Sequence, residues 1–89
     1  MKKRYEGDVP ASSASLRSAV AAELKSIRKE RRMTQQELAD LSGTQKSNIS
    51  RMESGTYNPT LDFLVKIAES LGREVRVDLV GKDREPPAA

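Results

Sequence analysis

The stretch Thr34–Gly55, TQQELADLSGTQKSNISRMESG, predicts two short helices joined by a turn. Thr34 is followed three residues later by Glu37, a capping-box pattern in which each side chain satisfies a backbone N–H of the other residue. A helix is therefore expected to begin here, with Leu38 on its buried face. Gly43 can adopt the left-handed backbone conformation that ends this helix, so a turn should follow at once.

The second helix of the stretch, from Gln45 to Ser54, has few apolar residues. Its only large apolar side chains are Ile49 and Met52, three residues apart, which predicts one narrow buried stripe. The remaining faces carry polar side chains: Lys46, Ser47, Asn48, Ser50 and Arg51. A polar helix in isolation fits the solvated face of a small bundle, but a narrow apolar seam below a polar N-terminal end is also what a helix in the major groove of DNA requires.

The order of these residues resembles the helix-turn-helix of the Cro/phage-repressor family, also called the XRE family. The residues that carry the resemblance are Thr34-Gln35, Glu37-Leu38-Ala39, Gly43, Ile49-Ser50, Glu53 and Gly55, followed by Asn58-Pro59-Thr60-Leu61, Lys66-Ile67-Ala68 and Leu71-Gly72. The similarity covers about Leu24 to Val80. One departure is that Gln45, a poor cap, stands where the family usually has Ser or Thr, which makes Thr44 the alternative cap of the second helix.

The resemblance implies an all-α fold of four to five helices, a Cro/C1-repressor-like helix-turn-helix domain. It also implies roles for individual residues. The family's base-reading positions are Gln45, Lys46, Ser47 and Arg51, and Gln35 occupies the position that contacts a phosphate. Beside the resemblance, the polar side chains in and after the second helix suit contacts to the DNA backbone: Asn48, Thr56, Tyr57 and Asn58. Asn48 fits a base reader as well as a sugar contact, and Ser50 is expected to be solvated filler. Finally, Arg28 is expected to form an enclosed ion pair with Glu53.

Composition limits the chemistry of the chain. Its 89 residues suit one small domain, for which dimerisation is an expected source of added stability. The absence of cysteine and histidine excludes a disulfide framework and thiolate metal sites. Because the sequence has no glycine-rich phosphate loop and no carboxylate pair suited to acid-base work, it predicts neither an enzyme nor a cofactor or metal.

Charge and hydropathy favour a nucleic-acid partner over a membrane. The net charge is +3, and residues 16–56 contain eight basic against five acidic side chains, so positive charge is concentrated where phosphate would be met. The alanine-rich run Ala19–Ala22 is too short for a signal peptide or a membrane span and is flanked by Arg17 and Lys25. We therefore expect a cytoplasmic protein with no membrane partner.

The flanking segments complete the predicted domain organisation. Residues 1–15 are expected to be a flexible arm. A first helix is predicted over Ser15–Arg32 from apolar residues three and four apart, with Ser13 or Ser15 as its cap. Residues 16–72 would form the DNA-binding domain, with Thr60 capping the last helix and Gly72 ending it. A tail at 81–89, polar and containing two consecutive prolines, is expected to be disordered.

The segment 73–80 alternates charged with apolar residues, which predicts a half-buried β-strand. A lone strand leaves its backbone unpaired, so its expected partner is the same segment of a second copy, which would make a homodimer. The side chains expected to line this dimerisation strand are Val75, Val77 and Leu79. Pairing with the N-terminal arm of the same chain is the alternative.

These features predict a repressor that binds palindromic double-stranded DNA as a dimer. A short helix-turn-helix domain followed by one strand resembles the antitoxins of the HigA group and, more distantly, HipB. That resemblance implies autorepression of an operon and neutralisation of an mRNA-cleaving toxin. A free-standing regulator without a toxin is the alternative, and a protein-binding helical adaptor is a more distant one.

Overall fold

The computed structural model describes residues 11–55 and 57–81, and this part of the chain contains four helices and no strand. The helices are α1 (Ala11–Glu30), α2 (Gln35–Ser42), α3 (Lys46–Ser54) and α4 (Leu61–Ser70). The all-α helix-turn-helix fold is therefore confirmed. The N-terminal residues 1–10, Thr56, and residues 82–89 lie outside the described part, so the predicted arm and tail fall largely outside it as well.

Helix α1 differs from the prediction at both ends. It begins at Ala11, four residues before the expected Ser15, because the serines that resemble caps are themselves helical in a segment rich in alanine, the strongest helix former. It ends at Glu30 and not at Arg32, which adopts a left-handed φ of 58°. The backbone N–H of Met33 then donates to the carbonyl of Arg28 at 3.1 Å, which helps to satisfy the last turn.

The capping box of α2 is confirmed. The backbone N–H of Glu37 donates to Thr34 Oγ1 at 3.0 Å, and the backbone N–H of Thr34 donates to Glu37 Oε1 at 2.8 Å. Gly43 follows the helix with a φ of 74°, and its N–H donates to the carbonyl of Asp40 at 3.3 Å. Helix α2 is therefore fixed at both ends by local hydrogen bonds, and the turn to α3 begins at Gly43.

The start of α3 has no side-chain cap. Gln45 occupies the N-cap position but makes no capping hydrogen bond with its side chain. Capping by Thr44, the alternative raised by the sequence, is wrong: Thr44 Oγ1 accepts a hydrogen bond from Asn48 Nδ2 at 2.9 Å instead. The first helical residue, and hence the N-terminal end of the polar face, is Lys46.

The core lies where the four helices meet. Its largest fully enclosed side chains come from α2, α3 and the C-terminal end of α4: Leu38, Ile49, Ile67 and Leu71. Leu24 and Ile27 of α1 cover this cluster from a further side. Burial of apolar area contributes about 25 cal/mol per Å², so these side chains provide the main stabilisation of a domain this small.

Helix α4 begins as predicted, with the N–H of Phe63 donating to Thr60 Oγ1 at 3.0 Å, and Gly72 follows it with a φ of 75°. Residues 73–81 form no strand within the single chain. Val75 packs against the core, whereas Val77 is 65% and Leu79 96% exposed. A strand that pairs between two copies requires a second copy, so the dimerisation strand stays a prediction.

Two leucines of α2 provide a matched test of the core. Leu38 is fully buried and Leu41 is 60% exposed. We expect Leu38→Ala to lower the free energy of unfolding by about 2–5 kcal/mol, since it removes buried methyl groups and leaves a cavity, whereas Leu41→Ala should change it by no more than about 0.5 kcal/mol. Urea denaturation followed by circular dichroism measures both values. Equal effects of the two substitutions would contradict the described packing of α2.

Candidate nucleic-acid interface

Helix α3 is held to the domain along one edge. Ile49 is 0% and Met52 2% exposed, so these two side chains insert into the core. The other faces of the helix are open to solvent, with exposed side chains at Gln45, Lys46, Ser47, Ser50 and Arg51. All four residues expected to read bases are therefore on the outside of the molecule, and the cations among them are available to an anionic partner.

The guanidinium of Arg51 is held by its neighbours. Its Nη2 donates to Asn48 Oδ1 at 2.8 Å, and Asn48 Nδ2 in turn donates to Thr44 Oγ1. The Arg51 Cζ also lies 5.4 Å from the centroid of the Tyr57 ring, within the range of a cation–π contact. Tyr57 packs edge-on against Phe63, with ring centroids 6.2 Å apart. Arg51 is thus directed outward in a defined orientation.

This chain of contacts was missed by the sequence reasoning, although part of its signal was present. Thr44, Asn48 and Arg51 are spaced four and three residues apart, the spacings at which side chains meet on one face of a helix. The contact with Tyr57 crosses the loop after α3 and depends on tertiary structure. Asn48 also orients Arg51 through a hydrogen bond. The sequence analysis had considered only base reading and a sugar contact for Asn48.

The ion pair implied by the family resemblance is present. Arg28 Nε lies 2.6 Å from Glu53 Oε2, and Arg28 Nη2 donates to Glu53 Oε1 at 3.0 Å, which makes a two-pronged contact between α1 and α3. Both side chains are enclosed, with 8% and 3% of their surface exposed. Arg28 Nη1 also donates to the carbonyl of Met33 at 2.6 Å, so the guanidinium joins α1, α3 and the segment before α2.

The sequence profile of the helix-turn-helix family HTH_3 matches residues 24–77, more than half of the chain. The chain belongs to this helix-turn-helix family. The resemblance drawn from the motif Thr34–Gly55 is thereby confirmed. The profile covers residues 24–30 of α1 and the whole of α2, α3 and α4. The chain therefore contains the DNA-binding domain of a helix-turn-helix transcriptional regulator.

Individual relatives carry names that agree with this family. The chain is 38% identical over 64 residues to the immunity repressor protein of Bacillus phage phi105, covering 72% of this chain and 44% of the phage protein. It is 37% identical over 62 residues to an uncharacterised helix-turn-helix transcriptional regulator of Methanothermobacter thermautotrophicus, covering 70% of this chain and 90% of the relative. The chain thus spans less than half the length of the phage relative and nearly the whole of the other.

Among solved structures, the chain is similar to a toxin–antitoxin module from Streptococcus pneumoniae. The two share 33% sequence identity with a TM-score of 0.64, over 78% of this chain and 76% of that one. The names of these relatives place the family among DNA-binding regulators and not among enzymes. No helix within residues 11–55 and 57–81 combines the length and apolar character needed to cross a membrane.

The other residues expected to contact the DNA backbone come from the start of α2 and from the loop after α3. Gln35, at the start of α2, is half-buried, and its Nε2 donates to Glu53 Oε1 at 3.0 Å. Its amide keeps a second N–H for another acceptor. Tyr57 is half-buried and Asn58 exposed in the loop after α3, whereas Thr56 lies outside the described residues.

The pKa of Glu53 reflects its position under α3. Burial raises this pKa, but the hydrogen bonds from Arg28 and Gln35, with the positive charges of Arg28 and Lys25, outweigh burial and hold it below the ordinary value. Glu53 therefore stays ionised near neutral pH and keeps the two-pronged contact. A carboxyl with a lowered pKa in the folded state stabilises the fold above its unfolded pKa, and this stabilisation is lost as the pH falls through the folded value.

Glu53→Gln should destabilise the domain in a pH-dependent way. At pH 7 the substitution leaves the enclosed Arg28 without its carboxylate, and we expect a loss of about 3–5 kcal/mol in the free energy of unfolding. This difference from the wild type should shrink as the pH falls from the ordinary pKa of glutamate, about 4.3, through the lowered pKa of folded Glu53, below which the wild-type carboxyl is neutral as well.

Urea denaturation at a series of pH values measures this difference, and Glu69→Gln is the matched control. Glu69 is an exposed glutamate of α4, so its substitution should have little effect at any pH. A Glu53→Gln difference that stays constant across the acidic range would contradict the assigned role of the ion pair.

Proposed function

We propose that this protein is a sequence-specific transcriptional repressor that binds double-stranded DNA through α3. The observation that carries the proposal is the exposure of Gln45, Lys46 and Arg51 on a helix that is held to the domain by Ile49, Met52 and the enclosed carboxylate of Glu53. Such a helix can enter a major groove without losing contacts to its own domain. Family membership and the phage repressor among the relatives support the same function.

The exposed side chains differ in what they can recognise. Arg51 and Lys46 donate hydrogen bonds to the O6 and N7 acceptors of guanine, and the amide of Gln45 offers a donor and an acceptor to adenine. Ser47 completes the base-reading set, since a hydroxyl can face either kind of group. We therefore expect guanine in each half of the operator.

A second group of residues would position the protein on the phosphate backbone. We assign Gln35, Asn48, Thr56, Tyr57 and Asn58 to this group, which orients α3 without reading sequence. Gln35 is suited to this role because one amide hydrogen anchors it to Glu53 and the other is left for a phosphate oxygen. The Arg51 contact made by Asn48 favours orientation over base reading for that residue.

Dimerisation would join two such domains, residues 16–72, through the segment 73–80. Val77 and Leu79 are exposed in the single chain, and Val75 links the segment to the core, which supports pairing between Val75, Val77 and Leu79 of two copies. A two-fold dimer sets two copies of α3 about 34 Å apart or a multiple of it, so the operator would be a palindrome. Occupancy of that operator would repress transcription.

The finer assignment is the antitoxin of a HigBA-like pair in the cytoplasm, which represses its own operon and neutralises an mRNA-cleaving toxin. The similarity to a toxin–antitoxin module supports this assignment. The similarity to a phage immunity repressor favours the alternative, a free-standing regulator with no toxin partner. The two assignments can be separated by expressing the small gene that neighbours the gene of this protein and measuring cell growth. If that gene stops growth and co-expression of this protein restores it, the antitoxin assignment is supported.

Selection of binding sites from random DNA tests the primary function directly. We expect a palindromic consensus with guanine in each half and with half-sites separated by about one helical turn or a multiple of it. Recovery of no enriched sequence, or of an unpaired half-site alone, would contradict the dimeric repressor. No shift of any duplex at low salt would instead favour a protein-binding adaptor.

Arg51→Ala should weaken specific binding by about 1–3 kcal/mol and relax base preference at one position of each half-site. The reason is the loss of a guanidinium that Asn48 and Tyr57 hold toward the groove. Ser50→Ala, an exposed neighbour on the same helix, is the control and should leave the consensus unchanged. Fluorescence anisotropy on the selected operator and its single-base variants gives both values, and an unaltered base preference would remove Arg51 from the reading set.

A further inference from the structure

The first half of α1 precedes the part of the chain that the family profile matches, and we call residues 11–23 the added segment. The profile begins at residue 24, whereas α1 begins at Ala11. This added segment lies over the C-terminal end of α3: a Cβ placed on Gly55 would lie 3.4 Å from Ser18 Oγ. Residues 11–23 therefore border the surface on which α3 is presented.

A cavity of about 180 Å³ lies between this added segment, Met52 of α3 and the loop after α3. Its walls are mostly apolar, and they contain no acidic residue. The polar members of the wall include Arg17 from α1 and Tyr57 and Asn58 from the loop. Both loop residues are ones we assign to contacts with the DNA backbone, so the cavity adjoins the proposed interface.

Arg17 has an unsatisfied donor in this wall. Its Nε is shielded from solvent and has no hydrogen-bond partner, and no ion pair of Arg17 is found within the described part of the chain. A guanidinium N–H enclosed without an acceptor is unfavourable, and such groups are rare in folded proteins unless a ligand or water completes them. The missing partner is an acceptor, and the positive charge favours an anionic one.

Tyr57 links this wall to the cation that we propose reads the groove. Its ring lies 5.4 Å from the Arg51 Cζ, and it lines the same cavity as Arg17. Tyr57 therefore belongs both to the contacts of Arg51 and to the wall that contains Arg17. An anion that reaches both Tyr57 and Arg17 while Arg51 occupies a major groove is most simply a phosphate of the same duplex.

We propose that Arg17 binds a backbone phosphate of the operator, adjacent to the contacts of Tyr57 and Asn58. This inference rests on the proposed DNA-binding function and adds a contact from the added first half of α1. To make this contact the guanidinium turns out of the cavity wall, so that Nε and a terminal nitrogen donate to two phosphate oxygens, the forked geometry in which arginine binds phosphate. Nε thereby gains the acceptor that it lacks in the free domain. Because the contact is to the backbone, it strengthens binding without changing sequence preference.

The test is the salt dependence of binding to a duplex that carries the selected operator. Each phosphate contact contributes about 0.9 to the slope of log K against log salt concentration. Arg17→Met keeps the apolar part of the side chain and removes the charge, so we expect the slope to become shallower by about 0.9 for each bound protomer. Arg17→Lys should retain most of the slope, and the consensus of all three proteins should be the same.

Lys66→Met is the matched control, since it removes one exposed positive charge from α4 outside the cavity wall. Its slope should equal that of the wild type. Thermal unfolding of each variant, together with its circular dichroism spectrum, establishes that the proteins compared are folded. If Arg17→Met does not fold, Arg17→Lys and Arg17→Gln provide the same comparison of charged with neutral side chains.

The outcomes separate the two proposals. If the wild type binds no duplex, the proposed function itself fails. If the wild type binds and the Arg17→Met slope is unchanged, only the phosphate contact is overturned. Titration of the free protein with inorganic phosphate, followed by NMR of the backbone amides around Arg17, distinguishes a site for free anions: saturation by phosphate together with an unchanged slope in DNA binding would also overturn the contact.

Discussion

The fold depends on the burial of one narrow stripe of α3. Ile49 and Met52 are the apolar side chains that fix this helix to the core, and apart from the enclosed carboxylate of Glu53 the other positions of α3 are left partly or fully open. Two buried side chains leave a nine-residue helix free to rotate and slide unless further contacts restrain it. The ion pair of Glu53 with Arg28, together with the amide of Gln35, supplies that restraint near the C-terminal end of α3.

The two charged side chains near the C-terminal end of α3 point in different directions. Glu53 faces the domain, where the contacts of Arg28 keep it charged, and Arg51 faces outward, where Asn48 and Tyr57 orient it. A guanidinium that is ordered before binding loses less conformational entropy when it meets its partner. The positive charge is thus placed on the exposed side, and the negative charge at the end of α3 is neutralised beneath it.

The helices, their caps and the domain's family could be predicted from the sequence because their signals are local. The capping box at Thr34 and Glu37, the left-handed glycines at 43 and 72, and the cap at Thr60 depend on residues within one turn of each other. The start of α1 could not be located in the same way, since a serine within an alanine-rich segment fits both a cap and a helical position. For Thr44, the hydroxyl can either cap α3 or accept a hydrogen bond from Asn48, and local sequence does not decide between these two alternatives.

The candidate site was predictable in its positions but not in its contacts. The spacing of Ile49 and Met52 indicates which residues of α3 point outward. The contact of Arg51 with Tyr57, and the solvent-shielded Nε of Arg17, require the path of the chain after α3 and the direction of α1. Both are properties of tertiary packing between segments distant in sequence, and no periodicity in the chain encodes them.

The open faces of α3 also affect how this domain can diverge. The core is filled by side chains that do not read DNA, and the outward positions at Gln45, Lys46 and Ser47 make no contribution to it. If these residues read bases, as proposed, replacing them would change what the helix recognises at little cost to the rest of the protein, since surface substitutions away from packed groups shift the free energy of unfolding by about 0.5 kcal/mol or less. Duplicated copies of such a gene can therefore acquire new target sequences in single steps while the scaffold beneath them stays unaltered.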